Sequence, residues 1–585
     1  MSVEQASRDL TQAYVRSWNA ERELEATITP AEIAKPNAIA GAMKTGAGPD
    51  PSLEARTALW VTGVAAIVLL IACANVANLF LARALRRQRE IAVRLALGVS
   101  RHRLMRQTLT ESLVLSLLGS AAGLLVAQWG GLAIRRILIV NEGASLDVMT
   151  DWRTLGVAIG AAMVAGLLTG IAPAVLSGRG DLARSLKAGP REGTYHRSRT
   201  RVALLVLQGA LSVVLLVGAG LFVRSLGNVK RMRMGYDAEP VLLVTRNMRG
   251  MDLPDSARAQ LARTLLATTQ AIPGVESATW ANSVPFWSTS STNLYVAGID
   301  SVRKLGRFTY QTATTDYFRT MGTRIVRGRG FAPEDRANAP LVGVVSESMG
   351  KVLWPGKDAL GQCMRVRADT MPCTTVVGIA EDMVQGDMTS DKKYQYYLPL
   401  EQAAPSGGSF VLARMRGDPA AQQETVRKAL QRVMPGQSYV TVKPFAEIVD
   451  QQRRSWQLGA TMFVAFGVLA LVVAAVGLYG VIGYNVTQRT HELGVRVALG
   501  AQSRDILGLV VGQGVRFAAA GAALGTVLAY AASRWIEPLL FRQSAKDPVV
   551  YALVGTILVL VALAASAAPA LRASRADPNT ALRSE

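Results

Sequence analysis

Histidine and cysteine are almost missing from this chain, with three of each in 585 residues. His102, His196 and His491 lie far apart in arginine-rich stretches and Cys73 is embedded in an apolar run. No cluster therefore has the spacing of a zinc site, and neither metal nor cofactor is expected. The sequence also has no Gly-x-x-x-x-Gly-Lys-Ser/Thr loop for nucleotide phosphates, no His-Glu-x-x-His helix and no nucleophile elbow. That leaves no motif for an ATPase or for hydrolytic catalysis, so the chain is not expected to be an enzyme. Charge is scarce too: 18% of residues are charged and 50% hydrophobic, a balance too apolar for an ordinary soluble protein. The polar first 56 residues contain no apolar segment of the signal-peptide kind.

What is present is a set of apolar runs long enough to cross a hydrocarbon core of ~30 Å. They cover residues 57–82, 109–133, 155–176, 202–223, 458–484, 506–532 and 549–571, which predicts seven spans. The net charge of +22 would suit nucleic acid if it were spread over a soluble surface. It is instead concentrated beside the spans, with eight arginines between residues 83 and 107 alone. The loop 137–153 on the opposite side has Arg153 against Glu142, Asp147 and Asp151 once Ile137 is passed. This asymmetry places the arginine-rich side and the C-terminus in the cytoplasm, and it removes the reason to expect nucleic acid.

A nine-residue stretch occurs twice, Glu-Ile-Ala-Val-Arg-Leu-Ala-Leu-Gly from Glu90 to Gly98 and Glu-Leu-Gly-Val-Arg-Val-Ala-Leu-Gly from Glu492 to Gly500. The 402-residue register also pairs Gly119 and Gly123 with Gly521 and Gly525. A slightly shorter offset pairs Asp151, Pro173, Arg179 and Asp181 with Asp547, Pro569, Arg575 and Asp577. The repeat is thus a three-helix unit. Its glycine pairs read as small-x-x-x-small packing faces, and Asn75 and Asn78, which stand where the other copy has Gly477 and Gly480, read as interhelical hydrogen-bond formers. Glu111 and Arg516, near the ends of equivalent helices, read as snorkelling or locally paired groups.

The repeated stretch has the pattern of a short amphipathic helix, with Ile91, Leu95 and Val99 near helical spacing, Arg94 and Arg101 available for the lipid surface or an acidic partner groove, and a glycine to end it. Residues alone leave two readings open: a contact element that transmits a push, or an anchor lying in the lipid interface.

Residues 225–457 form one soluble region, with β-rich runs at 241–245, 277–280, 342–345, 374–379 and 410–415 and amphipathic helices at 256–272 and 420–434. An α+β domain, in one lobe or two, is the coarse expectation. Cys363 and Cys373 flank a polar turn between two strand-like runs, which suits a disulfide in an oxidising compartment; two free buried thiols are the alternative.

The run Arg-Arg-x-Arg-Glu-Ile-Ala-Val-Arg-x-Ala-Leu-Gly at 86–98 and its second copy resemble the signature of FtsX-like permeases, the membrane subunits of MacB-type ABC systems. Asp316-Tyr317-Phe318, Gly328-Arg329-Gly330-Phe331, Leu353-Trp354-Pro355-Gly356 and Val376-Val377-Gly378 resemble the MacB-type periplasmic core domain. Two permease units in one chain resemble the duplicated (ADOP) permeases. The resemblance implies an α-helical polytopic membrane protein with an α+β periplasmic domain. Its parts would be a remnant of a first periplasmic domain at 1–56, a first permease domain at 57–176, a cytoplasmic linker at 177–201, and a helix opening the second half at 202–224. The core domain at 225–457, a second permease domain at 458–571 and a cytoplasmic tail at 572–585 complete the expected layout. Since the family's halves each begin with a span and an external domain, the first half reads as lacking its opening span and most of that domain.

The resemblance further implies an inner-membrane permease relaying motion from a separate ATPase homodimer to periplasmic domains, with a periplasmic adaptor or outer-membrane channel as further partners. Glu90, Arg94, Ala96, Leu97 and Gly98, with Glu492, Arg496, Ala498, Leu499 and Gly500, would meet the ATPase. The alternative is a transmembrane signalling or scaffold protein that controls a periplasmic partner.

Overall fold

The computed structural model describes residues 3–24, 30–40, 53–86, 93–94, 97, 99–138, 152–178, 199–251, 253–386, 388, 394–403 and 408–574. The chain divides into two units, residues 229–454 and the remainder.

The larger unit is built on α1 (Leu53–Arg86), α2 (Arg101–Leu138), α3 (Trp152–Gly178), α4 (Arg199–Arg231), α5 (Phe445–Gln488), α6 (Thr490–Ala498), α7 (Ser503–Ile536) and α8 (Pro548–Ser574). All but α6 contain segments long and apolar enough to cross a membrane, seven among the described residues, and each overlaps a run expected from hydropathy. Helix is the form that satisfies every backbone group in hydrocarbon without a partner strand. Close crossings are built from small residues. Ser112 of α2 donates to Gly166 O of α3 at 3.0 Å and fits against Gly170, while in the second half Gly514 of α7 receives Ser566 of α8. Phe222 of α4 stacks on Phe463 of α5 with centroids 4.4 Å apart.

The smaller unit carries β1 (Val241–Asn247), β2 (Val275–Ala281), β3 (Leu294–Tyr295), β4 (Phe308–Ala313), β5 (Ile325–Gly328), β6 (Val342–Ser346), β7 (Cys363–Val366), β8 (Thr374–Ala380), β9 (Tyr394–Pro399), β10 (Phe410–Met415) and β11 (Tyr439–Pro444). They form one mixed sheet in the order β11-β1-β10-β2-β4-β9-β6-β8-β7-β3, with β5 also on β8. Two cores lie along it. Leu242, Trp280, Val411 and Val442 pack with Leu265 and Leu430 of the helices Asp255–Ala271 and Pro419–Gln431. Phe308, Val345, Val376 and Tyr396 pack with Met349 and Trp354 around the helix Glu347–Leu353.

The expected seven-helix membrane protein with a sheet-and-helix domain is therefore the observed fold. Strands β4 and β9, which pair in parallel at the middle of the sheet, carry no clear apolar alternation. Gln311, Gln395 and Tyr397 are buried on one face while Phe308, Tyr310, Tyr394 and Tyr396 occupy the other, so polarity and burial part company there.

Candidate functional site

The repeated stretch is best described in its second copy. The long helix α5 ends at Gln488, the backbone turns at Arg489, and α6 starts anew at Thr490. Leu493 is buried in the apolar cluster of Leu478, Ile482, Ile506 and Val510, so one face of α6 is fixed on the ends of α5 and α7. The opposite face carries charge: Arg496 reaches Glu492 at 2.8 Å, one turn back, and Arg489 lies 3.8 Å from the same carboxylate. Partly exposed pairs of this kind add only about 0.3–0.5 kcal/mol each, so they orient the helix surface more than they stabilise it. Gly500 then has φ +94°, a left-handed conformation that lets the Ala501 N–H reach back to Arg496 O at 3.0 Å and close the helix. Gln502 and Asp505 start α7 with a reciprocal capping box. Ala498 is the last residue of α6.

Leu499 follows α6 and is 82% exposed. Its equivalent in the first copy, Leu97, is 79% exposed, and Arg94 is exposed beside it. Glu90, Ala96 and Gly98 lie outside the described residues. The structure thus brings an arginine and a bare leucine to the surface at both copies of the motif. Sequence periodicity could not single out these leucines, since they resemble the core-facing positions next to them.

The glycine pairs behave differently in the two halves. A Cβ on Gly521 would lie 3.1 Å from Gly209 Cα of α4, and one on Gly525 would lie 2.6 Å from Ala210 O. Around Gly119 and Gly123 of α2, no described atom lies within 4 Å of such a Cβ. Asn75 and Asn78 also differ from expectation. Asn75 Oδ1 and both amide atoms of Asn78 are buried without a hydrogen-bond partner among the described residues, and Asn75 Oδ1 stands against Gly477 of α5, which has no side chain to offer it. Glu111 accepts a long contact, 3.4 Å, from Gln107 on its own helix, and Arg516 is exposed.

In the sheet domain, Cys363 and Cys373 form a disulfide with Cα atoms 5.6 Å apart, next to the β7–β8 pairing of Cys363 with Thr375. No sequence signal marked Glu381, which follows β8 and is buried. Arg233 donates to its two oxygens at 2.7 and 2.8 Å, and the Arg324 backbone and guanidinium donate at 2.9 to 3.2 Å. Burial alone would raise its pKa, but the hydrogen bonds from Arg233 and Arg324 outweigh it and bring the carboxyl down to about 2. Arg233 stands two residues beyond α4, and Gly235 (φ +81°) is the left-handed residue that turns the chain there, with no room for a side chain against Asp382. Only the arrangement of three distant segments identifies this joint.

Among the described residues, no group of three or more potential metal ligands is assembled.

Residues 62–181 and 464–578 match the model of the FtsX-like permease C-terminal domain, and residues 203–433 match the MacB-like periplasmic core domain. The macrolide export ATP-binding/permease protein MacB of Chromobacterium violaceum is 25% identical over 419 residues, 70% of this chain and 62% of that protein. The probable syringafactin export ATP-binding/permease protein SyfD of Pseudomonas syringae pv. syringae is 26% identical over 230 residues, 38% of this chain and 34% of that protein. The periplasmic region of MacB from Actinobacillus actinomycetemcomitans covers 38% of this chain and 97% of its own, at 13% identity and a TM-score of 0.29. The chain therefore spans less than two thirds of the curated relatives it matches.

Proposed function

Because the chain belongs to the MacB/FtsX-like ABC permeases, as an inner-membrane protein with two FtsX-like units and a MacB-like periplasmic core domain, we propose that it relays motion from a separate ATPase to that domain, in export. The arginine-rich side of the bundle and the C-terminus would face the cytoplasm, where an ATPase homodimer meets the two copies of the repeated motif. A periplasmic adaptor or outer-membrane channel would receive the motion on the other side. The layout would be the one expected above, with permease domains at 57–176 and 458–571 around the core domain at 225–457.

The observation that supports this reading best is the matched exposure of Leu97 and Leu499 beside Arg94 and Arg496. Where such a leucine faces water and not lipid, its exposure forgoes about 1.5–3 kcal/mol relative to burial in a partner groove, and the motif presents one at the same place twice. A partner groove that buries the leucine and presents carboxylates to the arginine recovers that energy. Leu493 fixes α6 in its apolar cluster, α5 runs from Phe445 to Gln488 as one helix, and Phe445 follows β11 directly in the chain. Displacing α6 would thus load a single 44-residue helix that leads into the sheet domain. The export proteins among the relatives favour export over other outcomes of such motion.

The test is the ATP hydrolysis that co-purifies with the tagged chain from its native membrane. Leu499→Asp should reduce it about tenfold or more, the equivalent of losing one buried leucine, with Leu97→Asp acting in the same direction. Membrane insertion and Tm should stay unchanged. If no ATPase is recruited, or both variants hydrolyse ATP as the parent does, the motor-coupled reading fails and a scaffold acting on a periplasmic partner takes its place.

A further inference from the structure

The sheet domain holds a cavity of about 80 Å³ beside its second core, walled by β4, β6, β9, the start of β8 and the turn that joins β7 to β8. Leu341, Val342 and Leu398 line it with apolar surface, and Tyr310 and Gln402 add polar atoms. Arg367 is the one charged side chain among the described residues that line it, and no carboxylate lines it with them.

Arg367 is held from three sides. Its backbone N–H donates to Asn293 O at 2.9 Å, its guanidinium donates to Ala403 O at 3.1 Å, and the Cys363–Cys373 disulfide ties the ends of the turn that carries it. Its φ is +78°, in the left-handed region that glycine adopts freely and a residue with a Cβ does not. Such strain persists only where the surroundings over-determine it, and it gathers at ligand clamps. The Ala403 carbonyl takes one of the five N–H donors of a guanidinium and brings no negative charge to match it.

A second unmatched donor adjoins Tyr310. Tyr396 pairs with Tyr310 in the β4–β9 register, the ring centroids are 5.8 Å apart, and Tyr396 is fully buried with no hydrogen-bond partner for its hydroxyl among the described residues. Burial pushes the pKa of this phenol up, Tyr310 adds to the rise and Arg367 opposes it, so the hydroxyl keeps its proton close to two side chains that line the cavity.

We infer that this cavity binds a short-chain carboxylate, its carboxylate on Arg367 and its alkyl chain against Leu341, Val342 and Leu398. A guanidinium at an apolar opening selects an anion that brings an apolar part of its own. The charge makes a charge-assisted hydrogen bond, and the chain gains by leaving water. Sulfate or phosphate would lose hydration against the apolar lining with nothing to gain there. Size sets the chain length: the space is roughly half of the ~150 Å³ that accommodates benzene in a protein interior, which leaves room for about three or four carbons. The inference goes beyond the coupling reading and does not depend on it, since the cavity lies wholly within the sheet domain.

The test uses the full chain in lipid nanodiscs, with butyrate as the probe, saturation-transfer NMR as the readout and empty nanodiscs as the blank. Butyrate should bind, and butyramide, which has its shape without its charge, should bind about tenfold more weakly or worse. Arg367→Gly should weaken butyrate by the same factor while Tm stays level or rises, because glycine accepts the φ of +78°. A guanidinium that only braced the turn through Ala403 would give the opposite pair, a lower Tm with undiminished binding, and that result overturns the site. Should Arg367→Gly lower Tm together with binding, or fail to accumulate, Arg367→Asn carries the same comparison, since asparagine also tolerates positive φ. Ala403→Leu fills the cavity, leaves the guanidinium in place and should abolish binding. No binding of butyrate by the parent chain, equal binding of butyrate and butyramide, or butyrate retained in Arg367→Asn or Ala403→Leu would each overturn the inference.

Discussion

The two halves of the membrane unit use one design with opposite choices at its contacts. In the first half the serine sits on α2 and the glycine on α3, as Ser112 and Gly170; in the second the glycine sits on α7 and the serine on α8, as Gly514 and Ser566. The crossing survives the exchange because what it requires is one small polar knob and one bare backbone, on whichever helix. Ser112 also gains a hydrogen bond to Gly166 O that Ser566 lacks among the described residues. The glycine pairs teach the converse. Gly521 and Gly525 hold α4 at backbone distance, whereas a Cβ on Gly119 or Gly123, at the same repeat positions, would meet no described atom of another helix within 4 Å. A repeated motif therefore carries over the capacity for a contact without carrying over the contact.

This comparison is open to attack, most forcefully at the glycines. Gly525→Leu drives a side chain into Ala210 and Val213 and should lower stability by about 2–3 kcal/mol, whereas Gly123→Leu should stay within about 0.5 kcal/mol of the parent. Thermal unfolding of both variants in the same detergent reads the difference. Equal Tm losses would mean that the α2 face is filled in the working protein.

The second half also has a folded domain between its first two helices, braced internally by Glu381, whereas among the described residues ahead of α1 the helix Val3–Leu24 buries no side chain. Glu381→Gln should cost up to about 3 kcal/mol at neutral pH. The carboxyl is depressed to about 2 from an ordinary 4.5, so its contribution is complete above pH 4.5 and drains away as the pH falls toward 2. Urea unfolding of parent and variant across that window should show their difference shrinking with acidity. A constant difference would mean that Glu381 acts through shape and not through charge.

The smallest effect concerns the exchanged serines. Ser112→Ala should cost about 0.6–1 kcal/mol through the lost interhelical hydrogen bond, and Ser566→Ala close to nothing. Matched losses in thermal unfolding would show that the two crossings are equivalent after all.

Much of the architecture was legible in the sequence. The seven spans, the repeat and the strand runs at 241–245, 277–280, 342–345, 374–379 and 410–415, each inside an observed strand, follow from hydropathy and periodicity, which are properties of residues near one another in the chain. Strands β4 and β9 escaped because their buried faces include glutamine and tyrosine.

Local order thus determined where the spanning helices and five of the strands would lie, and that two halves share a plan. Tertiary structure decided which of two equal glycine faces is filled, that Asn75 meets Gly477, that Leu97 and Leu499 point outward, and that Arg233, Arg324 and Glu381 converge. The physical reason is range. Backbone conformation and burial tendency are set within a few turns, whereas a contact is set by the shape and charge of whatever a distant segment brings, and residues 75 and 477 carry no local record of each other.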